Sequence, residues 1–266
     1  MTHHYDINAL KTFWYLLLRS WIISRSGLLD KFINQSYWLI MNILIFTYVM
    51  PSMGLEKSYG AFMAITIPVT TAFFVSIHCI YSLLSDITSD GSNLRYELTL
   101  PIHQSWIFIK HALENAFQSF IIACVQLPIG YFLIGGSINL SILAVIKFYS
   151  VLLLTSIFSG FFSLFIVSMA TNLSSGLDNV WMRIILPVWL FGCYNYPWQT
   201  SYNIAPWFGY ISLLNPLTSA SEGARSSLAF ESSSLNYWYC VCSLIGFTAL
   251  FGYIGIKRLM KRMDCL

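Results

Sequence analysis

Charged residues are scarce in this sequence. Asp, Glu, Lys and Arg make up only 9% of its 266 residues, while hydrophobic residues make up 57%. A soluble domain carries about 25% charged residues, so this chain has too few charges to keep a soluble surface hydrated. Its length allows several membrane spans of about 20 residues each. We therefore predict an all-α membrane protein.

Motifs for enzyme chemistry are also missing. The chain contains no Gly-Lys pair, which excludes the G-x-x-x-x-G-K-[ST] phosphate cradle. It contains neither H-E-x-x-H nor the G-x-S-x-G nucleophile elbow. The histidines are not spaced as metal ligands, and the C-x-C pair Cys240 and Cys242 has no second pair or nearby histidine to complete a zinc set. We predict no catalytic residue, no metal site and buried free thiols.

Long apolar runs are what the sequence does contain. They predict six transmembrane helices, of which the fourth is long enough to tilt and the fifth is short. The predicted spans are Ser36–Met53, Ala61–Leu84, Ile107–Ile134, Leu140–Ala170, Ile184–Trp198 and Tyr237–Ile256.

The basic residues predict the orientation of these spans. Only Lys57 and Arg225 fall on one side, with Lys147 near the start of span four. The other basic residues of the predicted loops and tails fall on the opposite side, which the positive-inside rule assigns to the cytoplasm. Both termini are then cytoplasmic, in a multi-pass protein of the cytoplasmic (inner) membrane. These other residues are Lys11, Arg19, Arg25, Lys31, Arg95, Lys110, Arg183, Lys257, Arg258, Lys261 and Arg262.

The segment before span one is rich in Trp, Tyr, Phe and Leu but is interrupted by Lys11 and Arg19. This mixture favours an amphipathic helix at the cytoplasmic interface of the membrane; a solvated helix is the alternative. We predict one domain over residues 1–266. Residues 1–35 form its N-terminal cytoplasmic or interfacial part, 36–256 the six-span bundle and 257–266 a cytoplasmic tail.

The loop after span two carries a short predicted helix. Ser92 or Asn93 can cap it, and Pro101 ends it after Leu100. If exposed, Leu94 and Leu98 would provide apolar anchors with Arg95 and Glu97 as a charged rim, which is typical of a protein docking element. A plain solvated turn fits the composition equally well.

The stretch from Trp181 to Arg225 is an apolar span that breaks at Pro and Gly and resumes at Asn215-Pro216. Backbone freed by such a break must be met by something other than lipid. We expect the broken part near the membrane surface, with Glu222 and Arg225 close enough to pair. The aromatic residues Tyr194, Tyr196, Trp198, Tyr202 and Trp207 fit an interfacial belt, and they could equally line a substrate path.

Three polar groups fall inside or at the end of predicted spans. His111 and Glu114 share one face at the cytoplasmic start of span three, where a helix-end ion pair or headgroup contact is expected. His78 lies deeper in span two, and we expect an interior, hydrogen-bonded histidine. A proton-relay role is the less favoured alternative, because a proton-coupled carrier normally shows several such groups and internal repeats.

Taken in order, these features resemble the ABC-2 type permease, the membrane subunit of an ABC exporter. The resemblance rests on the amphipathic N-terminal segment, on Tyr96–Ile102 followed by Lys110, and on Leu177-Asp178-Asn179. Its last part is Leu214–Thr218 with Arg225. The chain departs from the family at the end of span five, where residues 191–198 are unusually aromatic and polar.

The resemblance implies a coupling helix that meets a separate ATP-binding subunit, and it assigns this role to Arg95, Tyr96, Glu97, Leu98 and Leu100. It also implies two short outer helices, dipping into the membrane between Trp198 and Arg225. The outer gate and substrate path would include Tyr194, Tyr196, Trp198, Asn215, Pro216, Glu222 and Arg225.

The resemblance further implies the partners. ATP and Mg would be bound by two copies of the partner subunit, and a second copy of this chain or a paralogous permease would complete the path. Membrane lipid is an expected contact and nucleic acid is not. The predicted substrate is a lipid, a lipid-linked glycan or a hydrophobic drug. The rival hypotheses are a proton-coupled carrier and a structural or assembly subunit of a complex without an ATPase.

Overall fold

The computed structural model describes residues 2–56, 58–88, 93–100, 102–136, 138, 140–170, 179–228 and 235–263. The side chains of residues 2–10, 86–88, 93, 95 and 263 are outside this description. Within the described ranges the chain is built from helices and contains no strand. The predicted all-α class is confirmed.

The N-terminal part forms a nearly continuous helical path. Helix α1 (Thr2–Ser24) passes through a 3₁₀ turn at Arg25–Gly27 into α2 (Leu28–Leu44), and a π turn at Ile45–Val49 leads to α3 (Met50–Ser52). Span one therefore has no helix start at Ser36: the helix begins at Leu28, because no residue between them breaks it. The apolar path Lys11–Ser52 has 42 residues. That is about 60 Å of helix, roughly twice the hydrocarbon thickness, so part of it must extend beyond the membrane core.

Helix α4 (Tyr59–Thr88) is the central helix of the bundle. It contacts α2, α6 (Gln104–Cys124), α7 (Gln126–Leu133) and α8 (Ile142–Met169), and its most apolar window is 94% buried within the protein. A helix that is apolar on all sides is expected in such a position. The short α5 (Asn93–Leu98) packs between α4 and α6.

The chain after residue 178 is where the architecture departs most from the prediction. A π turn at Trp181–Ile185 leads into α9 (Leu186–Leu190), so the helix of the predicted fifth span ends at Leu190 rather than at Trp198. Three short helices follow, where two were predicted: α10 (Trp198–Ile204), α11 (Pro206–Ser212) and α12 (Pro216–Ser227). Pro206 and Pro216, which lack an N–H, begin the last two helices and so divide the segment.

The last helix, α13 (Tyr237–Met263), packs mainly on α8 and also contacts α12 and α6. Among the residues that the structure describes, five helical stretches are long and apolar enough to cross a membrane, and Trp181–Leu190 is a shorter apolar helix. The count of six spans and the re-entrant position of the short helices remain predictions.

Side-chain contacts show which helix ends lie together. Arg262 near the end of α13 donates to the carbonyls of Val167 (3.2 Å) and Ala170 (2.6 Å) at the end of α8. Ser105 at the start of α6 donates to the sulfur of Met260 at 3.1 Å. Most of the basic residues counted above belong to this end, which we call the basic end of the bundle.

The opposite end of the bundle contains the first half of α8 and the starts of α13 and α4. Ser150 in the first half of α8 hydrogen-bonds with Tyr237 at the start of α13 (2.6 Å). Tyr59 at the start of α4 donates to the carbonyl of Asn195. The broken segment is therefore at the end of the bundle away from α5.

Candidate functional sites

A buried ion-pair cluster joins α5 to α6 at the basic end. The Glu97 carboxylate accepts from Lys110 Nζ at 2.6 Å, and its second oxygen lies 3.2 Å from His111 Nε2. Glu97 is only 4% exposed and Lys110 is 1% exposed. Burial by itself raises the pKa of Glu97, but the hydrogen bond from His111 and the charge of Lys110 outweigh it and lower this pKa to about 2. The carboxylate is thus held ionised.

This cluster corrects the predicted character of α5. Glu97 does not belong to an exposed charged rim, and Leu94 is fully buried. Leu98 packs partly buried against the core, Leu100 is half-buried, and Tyr96 is 58% exposed. The side chain of Arg95 and the whole of Pro101 lie outside the described residues. Because this short helix lies over α6, only one of its faces reaches the surface.

His111 and Glu114, at the start of span three, do not pair with each other but bind partners on other helices. His111 meets Glu97, while Glu114 accepts a hydrogen bond from Ser24 of α1 at 2.6 Å. His78 hydrogen-bonds the carbonyl of Phe74 at 2.7 Å, as predicted, but its side chain is exposed rather than interior. Sequence reasoning missed the Ser24–Glu114 contact because it joins elements far apart in the chain.

The second candidate site is the polar helix α12, which is buried among α4, α8 and α13. Asn215 caps it: the Asn215 side-chain oxygen accepts from the N–H of Leu217 at 3.0 Å, and its amide donates to the carbonyl of Val188 at 2.6 Å. The predicted residues Asn215 and Pro216 therefore start this helix and tie it to α9.

An ion pair forms the centre of this site. Arg225 Nη2 lies 2.5 Å from Glu222 Oε1, three residues earlier on α12, and both side chains are fully buried. The predicted pairing is present, but the charges are inside the protein rather than near its surface. Arg225 also donates to the carbonyl of Cys193 at 3.1 Å, and its guanidinium carbon lies 4.6 Å from the centroid of the Phe62 ring.

The same ion pair holds the broken segment in place. Glu222 Oε1 also accepts from the N–H of Trp198 at 2.8 Å, at the first residue of α10. Cys193, whose carbonyl Arg225 binds, has a positive φ of 52°, which is uncommon for a residue other than glycine. These charge-assisted bonds satisfy backbone groups that the break leaves without a helical partner.

Aromatic residues complete the site. The Trp198 indole donates to the carbonyl of Gly209 at 2.8 Å, and the Tyr194 hydroxyl donates to Asn42 Oδ1 at 3.4 Å. Tyr194 is buried, whereas Trp207 is 67% exposed. Tyr194 therefore links the broken segment to α2, Trp198 joins α10 to α11, and Tyr196 is half-buried beside them. Phe62, Asn42 and Cys193 were missed, since nothing in their local sequence marks them as contacts.

The helical bundle, its long apolar helices and its buried polar segment define a multi-pass membrane protein. Residues 11–229 match the family model described as ABC-2 type transporter. The match spans most of the chain, and the protein belongs to this family. It is therefore a permease of an ABC-type transporter, a transport subunit that is not itself catalytic. Members of this family normally work with an ATP-binding subunit. No curated protein matches the chain.

Proposed function

We propose that this permease is an exporter powered by a separate ATP-binding subunit, which docks at the basic end of the bundle. The observation that carries the proposal is the buried attachment of α5 to α6 through Glu97, Lys110 and His111. A short helix with an exposed Tyr96 and a buried ion pair can transmit a push from the surface to a long helix. The partner must bind one bundle state better than the other for ATP to drive the change.

In this proposal α5 and the termini face the cytoplasm, and α10–α12 lie at the outer end. Two copies of the ATP-binding subunit, which hold ATP and Mg, would act on two permease subunits facing each other. The second permease is a copy of this chain or a paralogue. The Glu222–Arg225 pair, with Asn215 and Trp198, would keep the outer end closed by holding the broken segment against α4.

The proposed substrate is a lipid, a lipid-linked glycan or a hydrophobic drug, moved across the cytoplasmic membrane. The chain offers few charges to an ion or a sugar phosphate. Aromatic and apolar side chains dominate its surface, among them Trp207, Tyr210 and Tyr253. Contacts with the substrate would then be mostly van der Waals and aromatic.

Co-purification and coupled ATP hydrolysis test the proposal. An ATP-binding subunit should co-purify with the tagged chain. The variant Tyr96→Ala should lower substrate-stimulated ATP hydrolysis about tenfold without lowering the melting temperature. A tenfold loss corresponds to about 1.4 kcal/mol, and the aromatic residues that dominate an interface cost at least this much when truncated. Tyr48→Ala is the matched control, because Tyr48 is similarly exposed but lies on the π turn near α3.

Two results would contradict the proposal. One is the absence of any ATPase in the purified complex, which would favour the carrier or assembly-subunit hypothesis. The other is equal loss of coupling in Tyr96→Ala and Tyr48→Ala, which would remove α5 as the contact.

A further inference from the structure

The predicted fifth span has a π turn near its start, and a proline follows this turn. In the turn Trp181–Ile185, the N–H of Leu186 bonds the carbonyl of Trp181 five residues earlier, and Pro187 comes next. Because proline has no N–H, the ladder of helical hydrogen bonds is interrupted again directly after the turn. Helices bend at such interruptions, and π turns are frequent at functional sites. This turn is therefore a candidate hinge.

The part of the span after the turn is fixed to the bundle. Asn215 of α12 donates to the carbonyl of Val188 at 2.6 Å, and Thr218 of the same helix donates to the carbonyl of Phe191 at 3.3 Å. Helix α12 is itself buried among α4, α8 and α13. The outer side of the candidate hinge is therefore anchored by hydrogen bonds to a buried helix.

The part before the hinge is held by apolar and aromatic side chains. The Trp181 ring centroid lies 6.1 Å from that of Phe74 and 6.5 Å from that of His78, one turn apart on α4. His78 hydrogen-bonds the carbonyl of Phe74 at 2.7 Å, which fixes the orientation of its ring. Val180 packs in the apolar core. Contacts of this kind can separate and form again without breaking a backbone hydrogen bond.

We propose that the start of the fifth span is the inner gate of the permease. It swings on the π turn, and Trp181 opens and closes against Phe74 and His78. This inference rests on the proposed function, in which the Glu222–Arg225 pair closes the outer end. Alternating access requires the two ends of a transport path to open at different times. A hinge between the gate and the anchored outer part lets one end move while the other stays closed.

The first span contains a matching turn that is packed differently. The π turn Ile45–Val49 is followed by Pro51 with the same spacing as in the fifth span. It is pressed against the start of α4, where a side-chain carbon at Gly60 would overlap Thr47 Oγ1. Such close packing resists bending. This turn therefore provides a control with the same local chemistry but without the freedom to swing.

Distances between spin labels test the hinge on the permease alone. Labels are attached to Met182→Cys beside the gate and to Tyr81→Cys on α4, both exposed positions, in the full-length chain without native cysteines in nanodiscs. Dilution with unlabelled chain restricts the signal to distances within one subunit. We expect two distances, the longer one from the open gate, because ring contact is lost beyond about 7 Å between centroids. Pro187→Ala, which restores an N–H, should leave one distance, and Pro51→Ala should leave both.

ATP hydrolysis by the complex with the partner subunit tests the gate in transport. Pro187→Ala should lower substrate-stimulated hydrolysis about tenfold without lowering the melting temperature, because a stiffened gate limits turnover while alanine favours the helix. Trp181→Ala should shift the labels toward the longer distance and lower the stimulation. Trp181→Phe keeps an aromatic ring and should preserve both properties. Pro51→Ala is the matched control and should leave the stimulation unchanged.

The two readouts separate this inference from the proposed function. A single distance in the native background, two unchanged distances in Pro187→Ala, or equal loss of stimulation in Pro187→Ala and Pro51→Ala would overturn the gate. A single distance in a chain whose partner hydrolyses ATP would overturn the gate and leave the exporter proposal intact. Two distances that merge in Pro187→Ala would support the hinge even if no ATPase co-purified, and the exporter proposal alone would then fail.

Discussion

At the scale of single residues, two buried ion pairs at opposite ends of the bundle are the main features. Glu97 with Lys110 fixes a surface helix, and Glu222 with Arg225 fixes a broken segment. Withdrawing each pair from water costs desolvation free energy that can exceed the attraction between its charges. We infer that they contribute structural specificity at two places where the chain leaves regular helix.

The Glu97 pair should make stability depend on acid pH. Because the pKa of Glu97 in the folded protein is about 2, below the ordinary 4.5, its contribution is fully present above about pH 4.5 and is lost as pH falls toward 2. The melting temperature of the native chain, relative to Glu97→Gln, should therefore fall between pH 5 and pH 2.5. A difference that stays constant across this window would contradict the ion-pair account.

The Arg225 pair should show strong non-additivity. Arg225→Met leaves the Glu222 carboxylate buried without its cation and should lower the free energy of unfolding by about 3–5 kcal/mol. Adding Glu222→Gln should restore most of this loss, because the Gln oxygen can still accept from the Trp198 N–H. Reversible unfolding in mixed micelles measures both variants. Additive losses in the double variant would show that the pair is not the cause.

At the scale of elements, close helix contact depends on glycine. A side-chain carbon at Gly160 of α8 would lie 2.3 Å from the carbonyl oxygen of Ala112 on α6. The two helices therefore approach closely there, as small residues permit in membrane bundles.

Substitution of this glycine gives a matched pair of variants. Gly160→Ala should push α6 from α8 and lower the free energy of unfolding by about 1–3 kcal/mol. Gly246→Ala, in α13 with no atom within 4 Å of its added carbon, should be neutral or stabilising by up to about 1 kcal/mol. Thermal unfolding of both variants in detergent compares them. Equal effects would remove the packing explanation.

At the scale of the whole molecule, the two ends of the bundle differ in charge. Helix contacts bring the ends of α8 and α13 and the start of α6 together, at the end that carries most basic residues. This charge separation, not the net charge of +3, supports the proposed orientation.

Cysteine labelling tests the orientation and the count of spans. In a variant lacking native cysteines, Met53→Cys and Asn236→Cys should react with a membrane-impermeant maleimide in intact cells. Thr99→Cys and Lys261→Cys should react only after the membrane is opened. All four wild-type side chains lie at helix ends or turns. Labelling of Lys261→Cys from outside would overturn the predicted cytoplasmic C-terminus.

The sequence by itself determined the class of the protein and most helix positions. Low charge and long apolar runs favour helices in lipid, where every backbone group needs an internal partner. Local signals were also sufficient to predict a short helix in the loop after span two, where α5 (Asn93–Leu98) lies. They placed Glu222 and Arg225 together because residues three apart share a helix face.

Only the tertiary structure decided which of these residues are buried and what they contact. Glu97 appeared to belong to an exposed rim, yet it meets Lys110 and His111 inside the protein, because α5 lies over α6. Arg225 meets Cys193 and Phe62, which are far from it in sequence. Sequence patterns report spacing along one element. Burial and pairing depend on how distant elements pack, which spacing alone does not encode.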